Sequence, residues 1–484
     1  MKDMVFREYD IRGIVGTELH IEQVYDVVCA IAYYCAQLNP AVKKVAIGMD
    51  GRTHSPAIKE QACRALIDSG LEVIFVGVCP SPVVYFAIDQ LPVDMGIMIT
   101  ASHNPQEYNG IKIDLGHRSL WGNDIRMIRD CYKQGLRLVP QEQGSYLDQP
   151  LIPRYIAWLR EHFAHLVGMH MPVVIDCGNG AGGAVVPDLV QAMEWPDVTL
   201  LYAEVDGTYP NHEADPSHEK NMLDLRVALK EHKARVGIGL DGDADRMGVM
   251  SADGWLVPAD RVLALFARTL IDQHPEMAVV IDINASDGLV ESLQTCGARP
   301  YFSPCGHAIV KTTMEQHGAL LGGELSCHFF FADRHPGYDD GIYAMMRFFE
   351  IMVTSTTSLE SMLDFFPKKY SSPIVRVACP EEKKFWIVDQ VKHFLSMQPN
   401  VTLITVDGVR VCTAYGWGLV RASNTQAMLS MRFESDSQEG LHTIQTMIVS
   451  VLQQYMDTTA LCVQLGLKEL HEKSRNSRSL EQLA

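Results

Sequence analysis

Asp241, Asp243 and Asp245 alternate directly after the apolar run Gly237–Leu240. Carboxylates held that close repel one another unless a cation lies among them, and hard oxygen ligands suit Mg2+. An EF-hand calcium loop is excluded, because its sixth position requires Gly and carries Arg246, and its twelfth requires Glu and carries Ala252. A solvated acidic turn is the plain alternative. In a second loop, Thr100-Ala101-Ser102-His103-Asn104-Pro105, a serine follows an apolar run. Such a serine, set among backbone N–H groups, serves as a nucleophile or anchors a phosphate. An ordinary capped turn uses the same residue types. Lys112, ten residues on, either brings positive charge to this loop or is a surface lysine.

Glu324, Ser326 and His328 recur at spacing two. In an extended segment they share a face, giving two groups for sugar hydroxyls and one for proton transfer; an exposed strand edge is the alternative. Arg421, Ser423, Asn424 and Thr425 combine a guanidinium with small donors, a set suited to a phosphate, or else form a turn with a stray arginine. Each loop alone is ambiguous. The first three at strand ends predict three α/β units converging on one cleft.

The runs Val45–Met49, Val73–Val76, Gly96–Thr100, Val173–Asp176, Val198–Leu201, Gly237–Leu240, Val279–Ile283 and Leu320–Gly322 predict strands. Amphipathic stretches Ser55–Ile67, Met222–His232 and Asp260–Ile271 predict helices between them, with Ser55 as a cap before Pro56. Composition shifts near Pro150–Pro153, Asp253–Pro258 and Pro367–Pro373 divide the chain into α/β domains at 1–152, 153–256 and 257–367 and a smaller α+β domain at 368–484, with a polar tail from about 459. Gly178-Asn179-Gly180-Ala181-Gly182-Gly183 satisfies the dinucleotide-binding fingerprint, with Glu204 about 20 residues on. A tight strand-to-helix turn is the favoured reading, because the metal and phosphate loops require no hydride chemistry.

The 484 residues carry 41 Lys+Arg against 59 Asp+Glu, a net charge of −18, which excludes non-specific nucleic-acid binding as the main activity. The N-terminus has no apolar signal region, and Val27–Ala36 is too short to cross a bilayer. The 12 cysteines are scattered without ligand-pair spacing, so they read as reduced. A cytoplasmic protein without membrane or nucleic-acid partners is expected; oligomeric state is not legible.

In order and combination, Thr100–Pro105, Asp241–Arg246, Gly323–His328 and Arg421–Thr425 resemble the four active-site loops of the α-D-phosphohexomutases. Gly416-Trp417-Gly418 before the last loop is similar to the bacterial phosphomannomutase/phosphoglucomutase branch, and Tyr9–Gly13, Tyr209–His212 and Gly337–Gly341 support it. The resemblance implies three related α/β domains with mixed sheets and a smaller fourth in a heart-shaped arrangement. It implies a phosphoserine at Ser102, Mg2+ held by Asp241, Asp243, Asp245 and Ser102, and a hexose 1,6-bisphosphate intermediate between hexose 1- and 6-phosphates of mannose or glucose. Glu324 and Ser326 would contact sugar hydroxyls, and Arg421, Ser423, Asn424 and Thr425 the phosphate not in transfer. Tyr9, Arg12, Lys112, Arg246, His307 and His328 match further site positions, with Lys112 and His328 as proton-transfer candidates. A phosphoglucosamine-type mutase and a non-catalytic sugar-phosphate-binding protein are the alternatives. Departures are Asn284 where many members carry Lys, Cys327 where Gly or Ala is usual, and Ala427 where Pro is common.

Overall fold

In the computed structural model each candidate loop turns one strand back into an antiparallel neighbour. The Ser102 loop joins Met95–Ile99 to Tyr108–Leu115, and the aspartate loop joins Val236–Leu240 to Met247–Ser251. The Glu324 loop joins Leu321–Gly323 to Phe329–Phe331, and the Arg421 loop joins Gly416–Ala422 to Met428–Ser435. The structure describes residues 1–423 and 426–468, so Asn424, Thr425 and the tail from 469 lie outside the described residues.

The chain forms two compact units: Met1–Val280 with Gly297–Arg299 and Gly306–Asp364, and Ile281–Cys296 with Pro300–Cys305 and the chain from Phe365 on. In the first unit, a seven-stranded mixed sheet runs Ile11–Ile14, Tyr108–Leu115, Met95–Ile99, Lys44–Met49, Glu72–Val78, Tyr146–Asp148, with Arg118–Ser119 beside Tyr108–Leu115. Its inner strands are parallel and buried, and the helices Ser55–Asp68 and Ser81–Gln90 supply the crossovers. Helix Ile21–Leu38 buries Val24, Val27, Val28, Ile31 and Cys35 on the spacing of a helical face. Ser55 opens its helix without capping it; its hydroxyl donates to Asp50 Oδ1 at 2.7 Å instead. A second sheet, Leu256–Val257, Met247–Ser251, Val236–Leu240, Val173–Asp176, Val198–Leu201, repeats the combination of parallel strands with an antiparallel return.

In the second unit an antiparallel sheet orders Tyr370–Ser371, Met428–Ser435, Gly416–Ala422, Val409–Thr413 and Thr402–Ile404, with Val375–Ala378 also on Met428–Ser435. Helices Lys384–Ser396 and Gln438–Leu452 share its core. Within the segment expected as a polar tail from about 459, Thr459–Leu465 is a helix whose Leu461 and Cys462, with Leu467 beyond it, are buried in that core. Among the described residues no helix is long and apolar enough to cross a membrane.

Candidate active site

Ser102 opens the site in the first unit. It is buried, takes a left-handed φ of 51°, and its N–H donates to Thr100 Oγ1 at 2.9 Å. Its hydroxyl donates to Asp241 Oδ2 at 2.9 Å and lies 3.1 Å from His103 Nδ1. Burial and the Arg246 charge hold the His103 imidazole well below its usual range, so the ring is neutral. Arg12 donates to Asn104 Oδ1 at 2.6 Å and to the Ala101 carbonyl at 3.2 Å, and pairs with Asp10. The first strand thereby braces the serine loop.

Asp241, Asp243 and Asp245 are all buried and bring one oxygen each within 4.8 Å of one another. Lys112 Nζ lies 2.7 Å from Asp243 Oδ2 and 2.6 Å from Asp245 Oδ2, and Ser81 Oγ donates to Asp243 Oδ2 at 2.6 Å. Burial costs the Lys112 ammonium, but the two carboxylates outweigh that and raise its pKa. Burial together with Asp245 and Asp243 pushes Asp241 well above the usual carboxylate range. Asp245 stays well below it despite burial, held by Lys112 and His328. Among the described residues, Asp243 Oδ1 is buried without a hydrogen bond, and Asp245 Oδ1 has only His328 Nε2 at 3.4 Å and Arg246 Nε at 3.9 Å near it. That donor set fits a hard divalent cation.

The third loop is a turn, not an extended segment. Glu324 N–H donates to the His328 carbonyl at 3.0 Å, Cys327 N–H to the Glu324 carbonyl at 3.1 Å, and Cys327 takes a φ of 73°, in the region that favours glycine. The turn folds the side chains together: His328 Nδ1 lies 3.0 Å from both Glu324 Oε2 and Ser326 Oγ, and Nε2 lies 3.4 Å from Asp245 Oδ1 and 3.2 Å from Arg246 Nε. Burial and Arg246 lower the His328 pKa, but Asp245 and Glu324 prevail and raise it to about 9. Lys112, with its pKa driven up, acts as a fixed positive charge, and His328, nearer neutrality, is the better placed of the two for proton transfer.

His307 Nδ1 lies 2.9 Å from the buried Asp339 Oδ2, and Lys311 Nζ lies 3.3 Å from Asp339 Oδ1. Gly306 N–H donates to Glu324 Oε1 at 2.6 Å, and the Tyr9 ring lies against Gly306, where an added Cβ would come within 2.5 Å of it. Thus Tyr9, Arg12, Ser102, Lys112, the three aspartates, Arg246, His307, Glu324, Ser326 and His328 belong to one continuous network in this unit. His103, in the Ser102 loop, and Asp339, in the stretch Gly337–Gly341, support it, as do Arg52 and Ser81, which sequence reasoning did not single out. The residues Asp50-Gly51-Arg52 at the end of Lys44–Met49 were the available signal, since a strand-end charge pair resembles the other loops.

The glycine-rich turn also serves this network. A Cβ on Gly180 would come within 2.8 Å of the Gly242 carbonyl and 3.0 Å of that of Asp241, and Ala181 N–H donates to the Gly242 carbonyl at 2.8 Å. The glycines admit the aspartate loop.

In the second unit Arg421 Nε lies 3.0 Å from Asp407 Oδ2, and Ser423 N–H donates to the Met428 carbonyl at 3.0 Å. The buried Lys384 donates to the Ser423 carbonyl at 2.6 Å and to that of Gln426 at 3.2 Å, another support the sequence did not announce. Asn284 turns its amide to Cys305 Sγ at 2.8 Å and Asp282 Oδ2 at 3.3 Å.

Four family models match the chain in order. They describe phosphoglucomutase/phosphomannomutase alpha/beta/alpha domain I at residues 3–135, domain II at 153–254, domain III at 258–370 and the C-terminal domain at 374–451. A phosphomannomutase/phosphoglucomutase of Pseudomonas aeruginosa is 37% identical over 450 residues, 93% of this chain and 95% of that protein. A phosphoglucomutase of Neisseria gonorrhoeae is 36% identical over 452 residues, 93% of this chain and 96% of that protein. The crystal structure of a phosphoglucomutase/phosphomannomutase family protein from Burkholderia thailandensis superposes with a TM-score of 0.86 at 29% identity, covering 94% of this chain and 98% of that one.

Proposed function

Since this chain belongs to the phosphoglucomutase/phosphomannomutase family of α-D-phosphohexomutases, we propose that it interconverts hexose 1-phosphate and hexose 6-phosphate, with mannose, glucose or both as the sugar. The observation that carries this reading is the Ser102 hydroxyl 2.9 Å from Asp241 Oδ2, at the edge of a buried aspartate trio. A hydroxyl so placed can carry a phosphoryl group beside a cation.

Ser102 holds the phosphoryl group in the resting enzyme and passes it to the free hydroxyl of a bound hexose monophosphate: the Ser102 O–P bond breaks as the sugar O–P bond forms, and the hydroxyl proton ends on the Ser102 oxygen. The resulting hexose 1,6-bisphosphate turns over and returns its other phosphate to Ser102, so bonds and charge balance over the cycle. Mg2+ held by Asp241, Asp243, Asp245 and the Ser102 oxygen would offset charge on the moving group. Arg246, fixed between Asp241 and Asp245, adds a permanent cation to the same place. Phosphoryl transfer depends mainly on such positioning and electrostatics. Lys112 supplies fixed positive charge, and His328 relays the proton given up by the attacking hydroxyl to the oxygen that leaves. Glu324 and Ser326 read the sugar hydroxyls, with Tyr9, Arg12 and His307 completing the lining. Arg421, Ser423, Asn424 and Thr425 are assigned to the phosphate not in transfer. The same reading places the enzyme in the cytoplasm with a phosphorylated hexose as partner, and the net charge of −18 argues against nucleic acid.

Peptide mass spectrometry after incubation with glucose 1,6-bisphosphate tests the reading. One phosphoryl group on the Ser102 peptide is expected; phosphate elsewhere, or none, overturns it. Parallel assays with mannose-, glucose- and glucosamine-phosphates assign the sugar.

A further inference from the structure

The loop that carries Ser102 is held from behind by one side chain. Ser102 sits in the left-handed region, which disfavours a residue with a Cβ, so its conformation must be fixed by its surroundings. Arg52 does this with four of its five side-chain donors. Its Nη2 donates to the carbonyls of Ser102 at 2.7 Å and Asn104 at 2.6 Å, and its Nη1 to those of Pro105 at 2.7 Å and Tyr108 at 3.1 Å. Its Nε donates to Asp50 Oδ2 at 3.0 Å, which uses the fifth and last N–H of the guanidinium. Both Arg52 and Asp50 are 1% exposed.

The clamp also faces the aspartate loop. The Tyr209 ring lies 5.1 Å from the guanidinium carbon. A Cβ on Gly242, between Asp241 and Asp243, would come within 2.4 Å of the Ser102 carbonyl and 3.0 Å of the Tyr209 hydroxyl. Arg52, the serine loop, Tyr209 and the aspartate loop therefore form one stack. A buried arginine needs acceptors for all five of its N–H groups whatever its role, so what matters is where those acceptors lie. Three of them lie in the loop that carries the reacting hydroxyl, at Ser102, Asn104 and Pro105, and a fourth is Tyr108 at the start of the return strand.

We propose that Arg52 is a positioning residue for phosphoryl transfer, fixing Ser102 Oγ against Asp241 by holding three carbonyls of its loop and that of Tyr108 where the loop enters the next strand. The inference rests on the reading of Ser102 as the phosphoryl carrier. A lysine in the same place has the charge but not the planar fork, so it cannot span four carbonyls in one geometry. Misplacing a reacting atom by about 1 Å costs on the order of 100-fold in rate without weakening ground-state binding.

The test uses full-length Arg52→Lys with glucose 1-phosphate, Mg2+ and glucose 1,6-bisphosphate, its turnover normalised to the phosphoserine content read by intact-protein mass spectrometry. The expected result is a kcat per phosphoenzyme lowered about 30- to 300-fold with KM changed less than about 3-fold. A purely structural role would lower the folded fraction and leave both unchanged, and that result, or a loss confined to KM, overturns the inference. Ser102→Ala is run beside it. An inactive Ser102→Ala with an unaffected Arg52→Lys overturns the positioning role alone, whereas an active Ser102→Ala overturns the carrier reading and this inference with it. Where Arg52→Lys yields no folded protein, Asp50→Asn loosens the same guanidinium at constant volume. It is expected to lower kcat about 10-fold with KM retained, and an unchanged kcat overturns the inference.

Discussion

Ser102 Oγ and Asp241 Oδ2 lie 2.9 Å apart although 139 residues separate them in the chain. One residue ends a strand of the first sheet and the other ends a strand of the second, so the contact joins two separately built hairpins. Phosphoryl transfer needs this proximity more than it needs either residue alone, because an oxygen nucleophile without an adjacent cation site gains little from the protein. Ser102→Ala should lower turnover by at least about 1,000-fold, the scale on which removal of an enzyme's covalent carrier is felt. Calorimetric titration with glucose 6-phosphate should still give a dissociation constant within a few-fold of wild type. Turnover near the wild-type rate contradicts the assignment of Ser102.

Lys112 tests the cation logic of the aspartate trio. Its ammonium is buried between Asp243 and Asp245, so Lys112→Met leaves two buried carboxylates with one counter-charge fewer. Removing one partner of such a pair costs about 3–5 kcal/mol. Urea unfolding in EDTA should show a loss of that order for the variant. Added Mg2+ should restore more stability to Lys112→Met than to wild type, since a divalent cation then offsets charge that nothing else does. An equal Mg2+ effect on the two proteins would place the ion elsewhere.

What the sequence made legible were the places where it breaks its own hydrophobic pattern. Asp241, Asp243 and Asp245 follow an apolar strand and are themselves buried, an arrangement that needs nearby cations to be sustained. The same contrast exposed Ser102 and Glu324. What stayed hidden was the support behind each loop. Arg52, Ser81 and Lys384 each reach a loop from another part of the chain; Arg52 left only the strand-end charge pair with Asp50 as a sign, and Ser81 and Lys384 left none, because local spacing does not encode a contact made across tens of residues. The extended reading of Glu324, Ser326 and His328 failed because alternation looks the same in a strand and in a turn that curls back. Cys327, in a left-handed conformation that a cysteine does not advertise, is the pivot of that turn. The helix Thr459–Leu465 was missed because few apolar residues suffice to dock a short terminal helix on an existing core.

Gly180→Ala distinguishes a turn that serves the aspartate loop from one that binds a nucleotide. Its Cβ would meet the backbone of Gly242 and Asp241 at 2.8–3.0 Å, and backbone cannot rotate aside. Forcing such a group into a packed site costs about 1–3 kcal/mol. The damage should fall on metal affinity: groups supporting a metal's ligands typically contribute about 10- to 100-fold. An activity titration with Mg2+ should move its midpoint upward by about tenfold in the variant. An unchanged midpoint in a fully stable Gly180→Ala would show that the aspartate loop does not depend on this turn.

The same turn predicts a pH dependence of stability. Asp176 Oδ1 accepts the Gly178 N–H at 2.8 Å, and Asp176 Oδ2 lies 3.1 Å from His212 Nε2. Burial lowers the His212 pKa, but the hydrogen bond and charge of Asp176 outweigh it, and the net shift is upward from 6.5. A histidine whose folded pKa exceeds its unfolded value binds its proton more tightly when folded. Its contribution is complete below the unfolded value and is lost as pH rises through the folded one. His212→Gln keeps a polar side chain without the charge, so the stability difference between wild type and variant should be largest at about pH 5.5 and shrink steadily toward about pH 9. Urea unfolding of both proteins across that range measures it. A gap that is constant with pH, or one that widens as pH rises, would mean that the His212 charge does not brace the turn.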